Sequence, residues 1–267
     1  MADRYAVIGH PVAHSKSPWI HAEFARAAGQ DIDYRRIEAP LDGFARVADE
    51  FRAAGGRGAN ITLPFKDQAF LYCRNAVTER ARAAGVVNTL IFESGAVRGD
   101  NTDGVGLLRD ITVNLGRGIA GARVLLMGAG GAARGVLGPL LAAVPRRLVI
   151  ANRTGAKARS LAQRSGAAAG GGYEDLAGER FDLLINATSA GLAGEAPPLT
   201  AGAFAPGALG YDMVYGRDTP FLAVARAAGA QACDGTGMLV EQAAESFLLW
   251  RGLRPDTAPV LAALRRG

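Results

Sequence analysis

The residue best suited to acid–base chemistry stands out by its type. The 267-residue chain has 30 basic residues, and only Lys16, Lys66 and Lys157 are lysines. A lysine can give up its proton near neutral pH when its surroundings lower its pKa, whereas an arginine cannot. Lys66 stands at the expected start of a helix, in a chain that almost always uses arginine. We therefore predict that Lys66 is a proton donor.

Small polar side chains cluster in four short segments of the first half, each beside a strand-like run or at a helix start. These segments are residues 14–18, 60–66, 87–89 and 99–104. Their hydroxyls, amides, lysine and carboxylate would together suit a neutral polyol that carries a carboxylate. Taken singly, Ser17 before Pro18 and Thr62 before Pro64 could equally be residues that begin helices.

A glycine-rich turn follows the apolar run 123–127 and opens an expected helix. Its G-x-G-x-x-A pattern consists of Gly128, Ala129, Gly130, Gly131, Ala132 and Ala133. In this context the first glycine permits a tight turn, the second lets backbone approach a pyrophosphate, and the alanine allows close helix–strand packing. The first N–H groups of the helix would bind phosphate charge. The segment predicts a dinucleotide site, although an ordinary strand–turn–helix junction would look similar.

The end of the next strand indicates which dinucleotide binds. NAD sites place an acidic residue there, about 20 residues after the glycines, to bind the ribose hydroxyls. This chain has Asn152, Arg153 and Thr154, with Lys157 one turn later. The two cations would attract a 2′-phosphate, and the threonine can donate a hydrogen bond to it. We therefore predict NADP(H), with solvated surface charges as the alternative.

Short apolar runs alternate with amphipathic stretches, which predicts an α/β fold with mostly parallel sheets. Strands are expected at residues 5–8, 34–37, 58–62, 86–92, 96–98, 123–127, 147–151, 181–186, 209–213 and 230–233. Helices are expected at residues 18–28, 41–54, 66–73, 78–84, 131–143, 156–165, 220–228 and, as the last, 238–250, and residues 104–115 form an amphipathic stretch. The glycine-rich residues 166–172 are predicted to form a loop.

The composition excludes several classes of protein. The net charge of +5 is scattered, without the basic stripe and interleaved aromatics of a nucleic-acid binder. No apolar run is long enough for a membrane span, and too few residues precede the first strand for a signal peptide. Cys73 and Cys233 lack metal-ligand spacing, so no metal site and two free thiols are expected. A cytoplasmic protein is predicted, without nucleic-acid or membrane partners.

Taken in order, these segments resemble the shikimate dehydrogenase family over nearly the whole chain, from residues 5–9 to residues 234–242 and 247–250. The resemblance implies two α/β domains: an N-terminal substrate-binding domain, residues 1–103, completed by a returning C-terminal helix within 237–267, and a Rossmann-like NADP domain, residues 104–236. It implies NADPH-dependent reduction of 3-dehydroshikimate to shikimate, a step of chorismate and aromatic amino-acid biosynthesis. A monomer or a homodimer is expected.

The resemblance also implies roles for individual residues. Ser15 and Ser17 would hold the substrate carboxylate, and the other substrate contacts would be Thr62, Asn88, Tyr215 and Gln242. Lys66 and Asp103 would flank the reacting oxygen as the catalytic pair. The implied cofactor contacts are Glu79, Gly128, Ala129, Gly130, Gly131, Ala132, Asn152, Arg153, Thr154, Lys157, Thr188, Met213 and Gly237.

The chemistry agrees with these roles and leaves three alternatives. Reducing a ketone needs a hydride on carbon and a proton on the oxygen where negative charge develops. Lys66 would give the proton, and an ionised Asp103 would orient its ammonium group, unless the two form only a structural salt bridge. A dual quinate/shikimate dehydrogenase using NAD is the nearest rival. A non-catalytic relative that senses the metabolite is another.

Overall fold

The computed structural model describes residues 2–93, 95–166 and 168–266. The chain divides into two compact units. The first comprises Met1–Gly106 and Leu239–Gly267, and the second comprises Leu107–Met238. The boundaries expected from the sequence, after residues 103 and 236, lie within three residues of these divisions.

The first unit is built on a mixed five-stranded sheet in the order β2-β1-β3-β4-β5. Its strands are β1 (Asp3–Gly9), β2 (Ile32–Glu38), β3 (Gly56–Ile61), β4 (Thr89–Glu93) and β5 (Ala96–Asp100). Strands β1, β2 and β3 are parallel, whereas β4 pairs antiparallel with both of its neighbours. Successive residues of β1 pack into different apolar clusters, Ala6 and Ile8 into one and Tyr5 and Val7 into another. The strand is therefore buried on both faces, as in other parallel sheets.

Helices of the first unit begin and end at recognisable signals. They are α1 (Ser17–Ala27), α2 (Phe44–Ala53), α3 (Lys66–Tyr72), α4 (Glu79–Ala84), the start of α5 (Asp103–Arg109), most of α9 (Thr236–Arg251) and α10 (Ala258–Arg266). Pro18 stands in the first turn of α1, where its missing N–H costs nothing. Thr78 caps α4 by accepting from the backbone N–H of Ala81, and Gly85 ends that helix in the left-handed conformation.

The second unit contains a fully parallel six-stranded sheet in the order β8-β7-β6-β9-β10-β11. Its strands are β6 (Arg123–Met127), β7 (Arg147–Ala151), β8 (Ala169–Gly171), β9 (Phe181–Asn186), β10 (Phe204–Asp212) and β11 (Gln231–Cys233). This is the Rossmann-type order, in which the chain reverses direction across the sheet between β6 and β9. Ligands of such sheets bind beyond the carboxyl ends of the strands, beside that switch point.

Helices of the second unit connect successive strands. A π-helical turn (Asp110–Asn114) follows α5, and the next α-helices are α6 (Gly131–Ala142), α7 (Gly155–Ser165) and α8 (Pro220–Ala227). Short 3-10 helices lie at Glu174–Leu176, Ala190–Ala193 and Ala201–Ala203. Central strand β6 is buried on both faces, because Val124 and Leu126 join one apolar cluster while Leu125 and Met127 join the other. The predicted two-domain α/β fold, with a Rossmann-like second domain, is therefore confirmed.

Two predictions about local structure are wrong. Residues 169–171, expected within a loop, form the edge strand β8. A Cβ added to Gly170 would lie 2.4 Å from the Ala158 carbonyl oxygen of α7, so glycine permits this close helix–strand approach. The helix expected to be the last is followed by α10, a short helix that begins three residues after Pro255.

No helix in residues 2–93, 95–166 and 168–266 combines the length and apolar character needed to cross a membrane.

Candidate active site

Lys66 and Asp103 form an ion pair in the first unit. Nζ of Lys66 lies 2.5 Å from Oδ2 of Asp103, and the two side chains are only 15% and 6% exposed. Each is the first residue of its helix, Lys66 of α3 and Asp103 of α5. A carboxylate is favoured at a helix N-terminus, and little water remains to screen the pair. The arrangement holds an ammonium group in one place.

Asn88 fixes the other oxygen of the carboxylate. Its Nδ2 donates to Oδ1 of Asp103 at 2.8 Å and to Oγ1 of Thr102 at 2.9 Å, while its Oδ1 accepts from the backbone N–H of Thr102 at 2.8 Å. Oε1 of Gln242 accepts from Nδ2 of Asn88 at 3.4 Å. The structure thus brings together four residues singled out in the sequence: Lys66, Asn88, Asp103 and Gln242.

Ser15 and Ser17 form a second polar group in the same unit. Both are 5% exposed, and their Oγ atoms lie 3.2 Å apart. The backbone N–H of Ser17 also donates to Oγ of Ser15, at 3.3 Å. Lys16 is the N-cap residue of α1 and makes no side-chain capping bond, so Oγ of Ser15 binds the first N–H of the helix instead. The guanidinium of Arg36, which sequence reasoning missed, donates twice to the Ser15 carbonyl oxygen, at 2.9 and 2.6 Å.

A buried hydrogen-bond network extends from Asn88 across the sheet. Asn60, Thr89 and Thr102 stand in the polar segments singled out in the sequence, whereas Ser246 was missed. Nδ2 of Asn60 donates to Oγ of Ser246 at 2.9 Å and to Oγ1 of Thr89 at 3.2 Å. Oγ of Ser246 lies 3.3 Å from Oγ1 of Thr102. Ser246 follows Gln242 by one turn of α9, so these two polar side chains share a helix face. That spacing is a sequence signal that could have identified Ser246.

Ion pairs brace the segment just before Asp103. The guanidinium of Arg80 binds both carboxylate oxygens of Asp100, at 2.6 and 2.9 Å, and Oε1 of Glu245 at 2.9 Å. Burial raises the pKa of Asp100, but hydrogen bonds from Arg80, Thr78 and the Asn101 N–H, together with the charge of Arg80, hold that pKa below its usual value. Oδ1 of Asp100 also accepts from the backbone N–H of Asn101, at 2.6 Å. The start of α5 is therefore anchored to α4 and α9.

The structure places three other predicted contact residues beside a strand end or a helix start. Thr62 is half-buried directly after β3, and Glu79 is exposed as the first residue of α4. No hydrogen bond joins either side chain to the network within the ranges that the structure describes. Tyr215 belongs to the second unit, in the segment after β10, where it is half-buried.

The glycine-rich turn of the second unit has the geometry that a phosphate site needs. Gly128 has a φ of +110°, which favours glycine, and a Cβ there would lie 3.1 Å from the Ala187 carbonyl oxygen. A Cβ on Gly130 would meet nothing within 4 Å, so the space beside it is open. Helix α6 begins at Gly131 without a side-chain cap. The first N–H groups of a helix, here those of Gly131 and Ala132, have no partner within the helix and can therefore bind phosphate. Ala129 lies just before them in the turn.

Exposed cations follow the carboxyl end of β7. Arg153, Thr154 and Lys157 are exposed, and Nδ2 of Asn152 donates to the Thr154 carbonyl oxygen at 3.0 Å. Burial raises the pKa of nearby Tyr173 to about 12, partly opposed by the charge of Arg153. These residues fit the 2′-phosphate of NADP, because two cations and a hydroxyl are accessible and no carboxylate stands in the segment.

Asp212 organises the carboxyl ends of β9 and β10. Its Oδ2 accepts from Oγ1 of Thr219 at 2.6 Å and from Nδ2 of Asn186 at 3.1 Å. Burial raises the pKa of Asp212. Oγ1 of Thr188 donates to Asn186 at 2.7 Å, and the backbone N–H of Met213 donates to the Asn186 carbonyl oxygen at 2.9 Å. Thr188 and Met213, both predicted cofactor contacts, therefore lie at the carboxyl ends of the strands, where ligands bind in this fold.

Comparison with known proteins gives the family. The shikimate dehydrogenase substrate-binding domain matches residues 7–90, shikimate/quinate 5-dehydrogenase matches residues 111–193, and the shikimate 5′-dehydrogenase C-terminal domain matches residues 235–265. A protein of Aromatoleum aromaticum named shikimate dehydrogenase (NADP(+)) is 60% identical, over 99% of this chain and 97% of its own. The chain belongs to the shikimate dehydrogenase family. It is thus a member of a family of oxidoreductases, and the resemblance inferred from the sequence is confirmed.

Two further relatives extend the match to structure. A protein of Nitrosospira multiformis with the same name is 58% identical, over 99% of this chain and 98% of its own. The crystal structure of shikimate 5-dehydrogenase from Thermus thermophilus, in complex with NADP(H) and shikimate, is 37% identical, with a TM-score of 0.89 and 99% of both chains covered. The first unit contains the segment matched by the family's substrate-binding domain, and the second has the Rossmann-like fold.

Proposed function

We propose that this chain catalyses the reversible, NADPH-dependent reduction of 3-dehydroshikimate to shikimate, in the biosynthesis of chorismate and the aromatic amino acids in the cytoplasm. The observation that carries the proposal is the protected ion pair of Lys66 and Asp103, held among hydroxyl and amide groups in a unit that matches a substrate-binding domain. The names of the relatives and the ligands of the Thermus thermophilus enzyme support the substrate and the cofactor.

The polar groups of the first unit suit a polyol carboxylate. In this proposal Ser15 and Ser17 bind the substrate carboxylate through their hydroxyls, which lie 3.2 Å apart. Asn88 and Gln242 bind substrate hydroxyls, since amides both donate and accept hydrogen bonds. Thr62 and Tyr215 supply further contacts.

Lys66 and Asp103 act on the reacting oxygen. Bound NADPH supplies the hydride. Nζ of Lys66 stabilises the negative charge that develops on the carbonyl oxygen and donates the proton that makes it a hydroxyl. Asp103 keeps the ammonium group aligned through Oδ2, while Asn88 prevents the carboxylate from rotating by binding Oδ1. In the reverse direction, Lys66 accepts the hydroxyl proton.

The cofactor is bound by the turn and the strand ends of the second unit. Gly128, Ala129, Gly130, Gly131 and Ala132 hold the pyrophosphate, and Asn152, Arg153, Thr154 and Lys157 hold the adenosine end with its 2′-phosphate. Further contacts come from Glu79, Thr188, Met213 and Gly237.

Steady-state assays of the purified protein test this proposal. NADPH formation is followed by absorbance with shikimate and NADP⁺, and then with NAD⁺ or quinate replacing one substrate. We expect the highest kcat/KM for shikimate with NADP⁺. A preference for quinate or NAD⁺ would favour a dual quinate/shikimate dehydrogenase, which the missing carboxylate near Asn152 argues against.

Binding measurements separate the enzyme from a metabolite sensor. Lys66→Met keeps a side chain of lysine's length up to Cε and removes only the ammonium group, so it should bind NADPH normally while turnover falls. A protein that binds shikimate but gives no turnover in its unmodified form would refute the catalytic proposal.

A further inference from the structure

A buried tyrosine–aspartate pair in the second unit is used by none of the roles above. The hydroxyl of Tyr211, which is fully buried, donates to Oδ2 of Asp110 at 2.6 Å. The same hydroxyl accepts from the backbone N–H of Met238, at 3.3 Å. Burial raises the pKa of Tyr211 well above its usual value, so the hydroxyl stays protonated and remains a donor. The pair thereby fixes the backbone at the start of α9.

Gly237, next to Met238, packs directly on the Asp110 carboxylate. A Cβ at Gly237 would lie 1.9 Å from Oδ1 of Asp110, so the carboxylate occupies the space of a side chain. Asn114 donates to the same oxygen at 3.0 Å. Asp110 begins a π-helical turn, closed by the bond from the Leu115 N–H to the Asp110 carbonyl oxygen at 2.9 Å. Such turns are rare and occur often at functional sites.

The location of Gly237 connects this packing to ligand binding. It lies a few residues after β11, beyond the carboxyl end of the parallel sheet. The neighbouring Gly235 N–H donates to the Val214 carbonyl oxygen at 3.0 Å, which joins this segment to the one after β10. Open α/β sheets bind their ligands beyond these carboxyl ends of the strands.

We propose that Asp110 and Tyr211 are positioning residues that set the backbone of Gly237 and Met238 for binding of NADP(H). The inference rests on the proposed function, because it needs the dinucleotide to bind beyond the carboxyl ends of these parallel strands. The same packing explains why residue 237 is a glycine, because the Asp110 carboxylate leaves no room for a side chain there even without a bound ligand.

Tyr211→Phe tests the inference, because it removes one oxygen atom and leaves the Met238 N–H without its acceptor. We expect Kd and KM for NADPH to rise roughly fivefold to tenfold, as loss of a buried hydrogen bond of about 1–1.5 kcal/mol implies. KM for 3-dehydroshikimate should stay within about twofold. Tyr72→Phe is the matched control, since it removes a hydroxyl that donates to Asp49 at 2.6 Å in the first unit.

A pair of substitutions at Asp110 separates positioning from general stability. Asp110→Asn keeps an oxygen that accepts from Tyr211, so its Kd for NADPH should stay close to that of the unmodified protein. Asp110→Ala removes that oxygen and should weaken NADPH binding as Tyr211→Phe does. If Tyr211→Phe does not fold, this pair gives the same comparison.

Two results would overturn the inference. One is a lowered melting temperature in Tyr211→Phe or Asp110→Ala with Kd for NADPH unchanged, which would leave the pair a purely structural role. The other is failure of the unmodified protein to bind NADPH, which would refute the proposed function as well. Normal binding and turnover by the unmodified protein therefore distinguish failure of this inference from failure of the proposed function.

Discussion

The buried imidazole of His21 should make folding stability depend on pH. Its ring is fully buried and stacks on Tyr34 with 4.3 Å between ring centroids, beside Phe24, Phe247 and Trp250. Burial lowers the pKa of His21 from 6.5 to about 3, and the nearby Asn60 amide offsets only part of this shift. The folded protein therefore keeps His21 neutral at pH values where the unfolded chain protonates it.

The sign and size of the effect follow from this difference. Above pH 6.5 both states are neutral at His21, so the residue adds no pH dependence. As the pH falls from 6.5 toward about 3, the unfolded state binds more protons, and stability falls by about 1.4 kcal/mol per pH unit. Between pH 6.5 and about 5 the loss is therefore roughly 2 kcal/mol.

Urea unfolding at about pH 7 and about pH 5 measures this loss. We expect His21→Phe, which retains an aromatic ring but cannot bind a proton, to lose roughly 2 kcal/mol less than the unmodified protein over that interval. His14→Gln alters an exposed histidine and serves as the control. Equal pH dependence in His21→Phe and the unmodified protein would refute the reasoning.

Four further outcomes are expected. Lys66→Met should lower kcat by roughly 10²–10⁴-fold in steady-state assays, as for loss of a general acid, with Kd for NADPH unchanged by fluorescence titration. Arg153→Asp should raise KM for NADP⁺ by roughly tenfold to a hundredfold, since it removes a charged hydrogen bond and adds repulsion, while KM for NAD⁺ does not rise. Gly170→Val should destabilise the protein by at least about 1–3 kcal/mol in urea unfolding, because its side chain overpacks β8 against α7. Thiol labelling followed by mass spectrometry should find half-buried Cys233 modified before Cys73, whose pKa burial raises to about 11.

The fold was predictable wherever a strand is apolar on both faces. Residues 123–127 and 181–186 were expected as strands and are strands, because buried parallel strands appear as continuous apolar runs. Strand β8 has the sequence Ala-Gly-Gly and gives no such signal. Its backbone is set by the approach of α7, a tertiary constraint that local sequence does not reveal.

The candidate site was predictable to the extent that its residues stand at helix starts or strand ends. Lys66, Asn88 and Asp103 were singled out for that reason, and the structure places them in one hydrogen-bonded group, although their chemical roles remain proposals. Thr102 stood in a polar segment without a role of its own, and Ser246 was missed, because the importance of both depends on long-range partners, Ser246 lying 144 residues from Thr102 in sequence. The one-turn spacing of Ser246 from Gln242 places two polar side chains on one face of α9, but it does not show which distant hydroxyls they meet.

The use of lysine at residue 66 follows from the combination of sequence and geometry. A structural ion pair with Asp103 would favour arginine, whose planar guanidinium binds a carboxylate through two parallel hydrogen bonds. Arg80 makes such a two-oxygen contact with Asp100 only three residues earlier in the chain. Lys66 instead contacts one oxygen of Asp103, and Asn88 takes the other. A chain that prefers arginine thus has, in this largely buried ion pair, a lysine, which unlike arginine can transfer a proton.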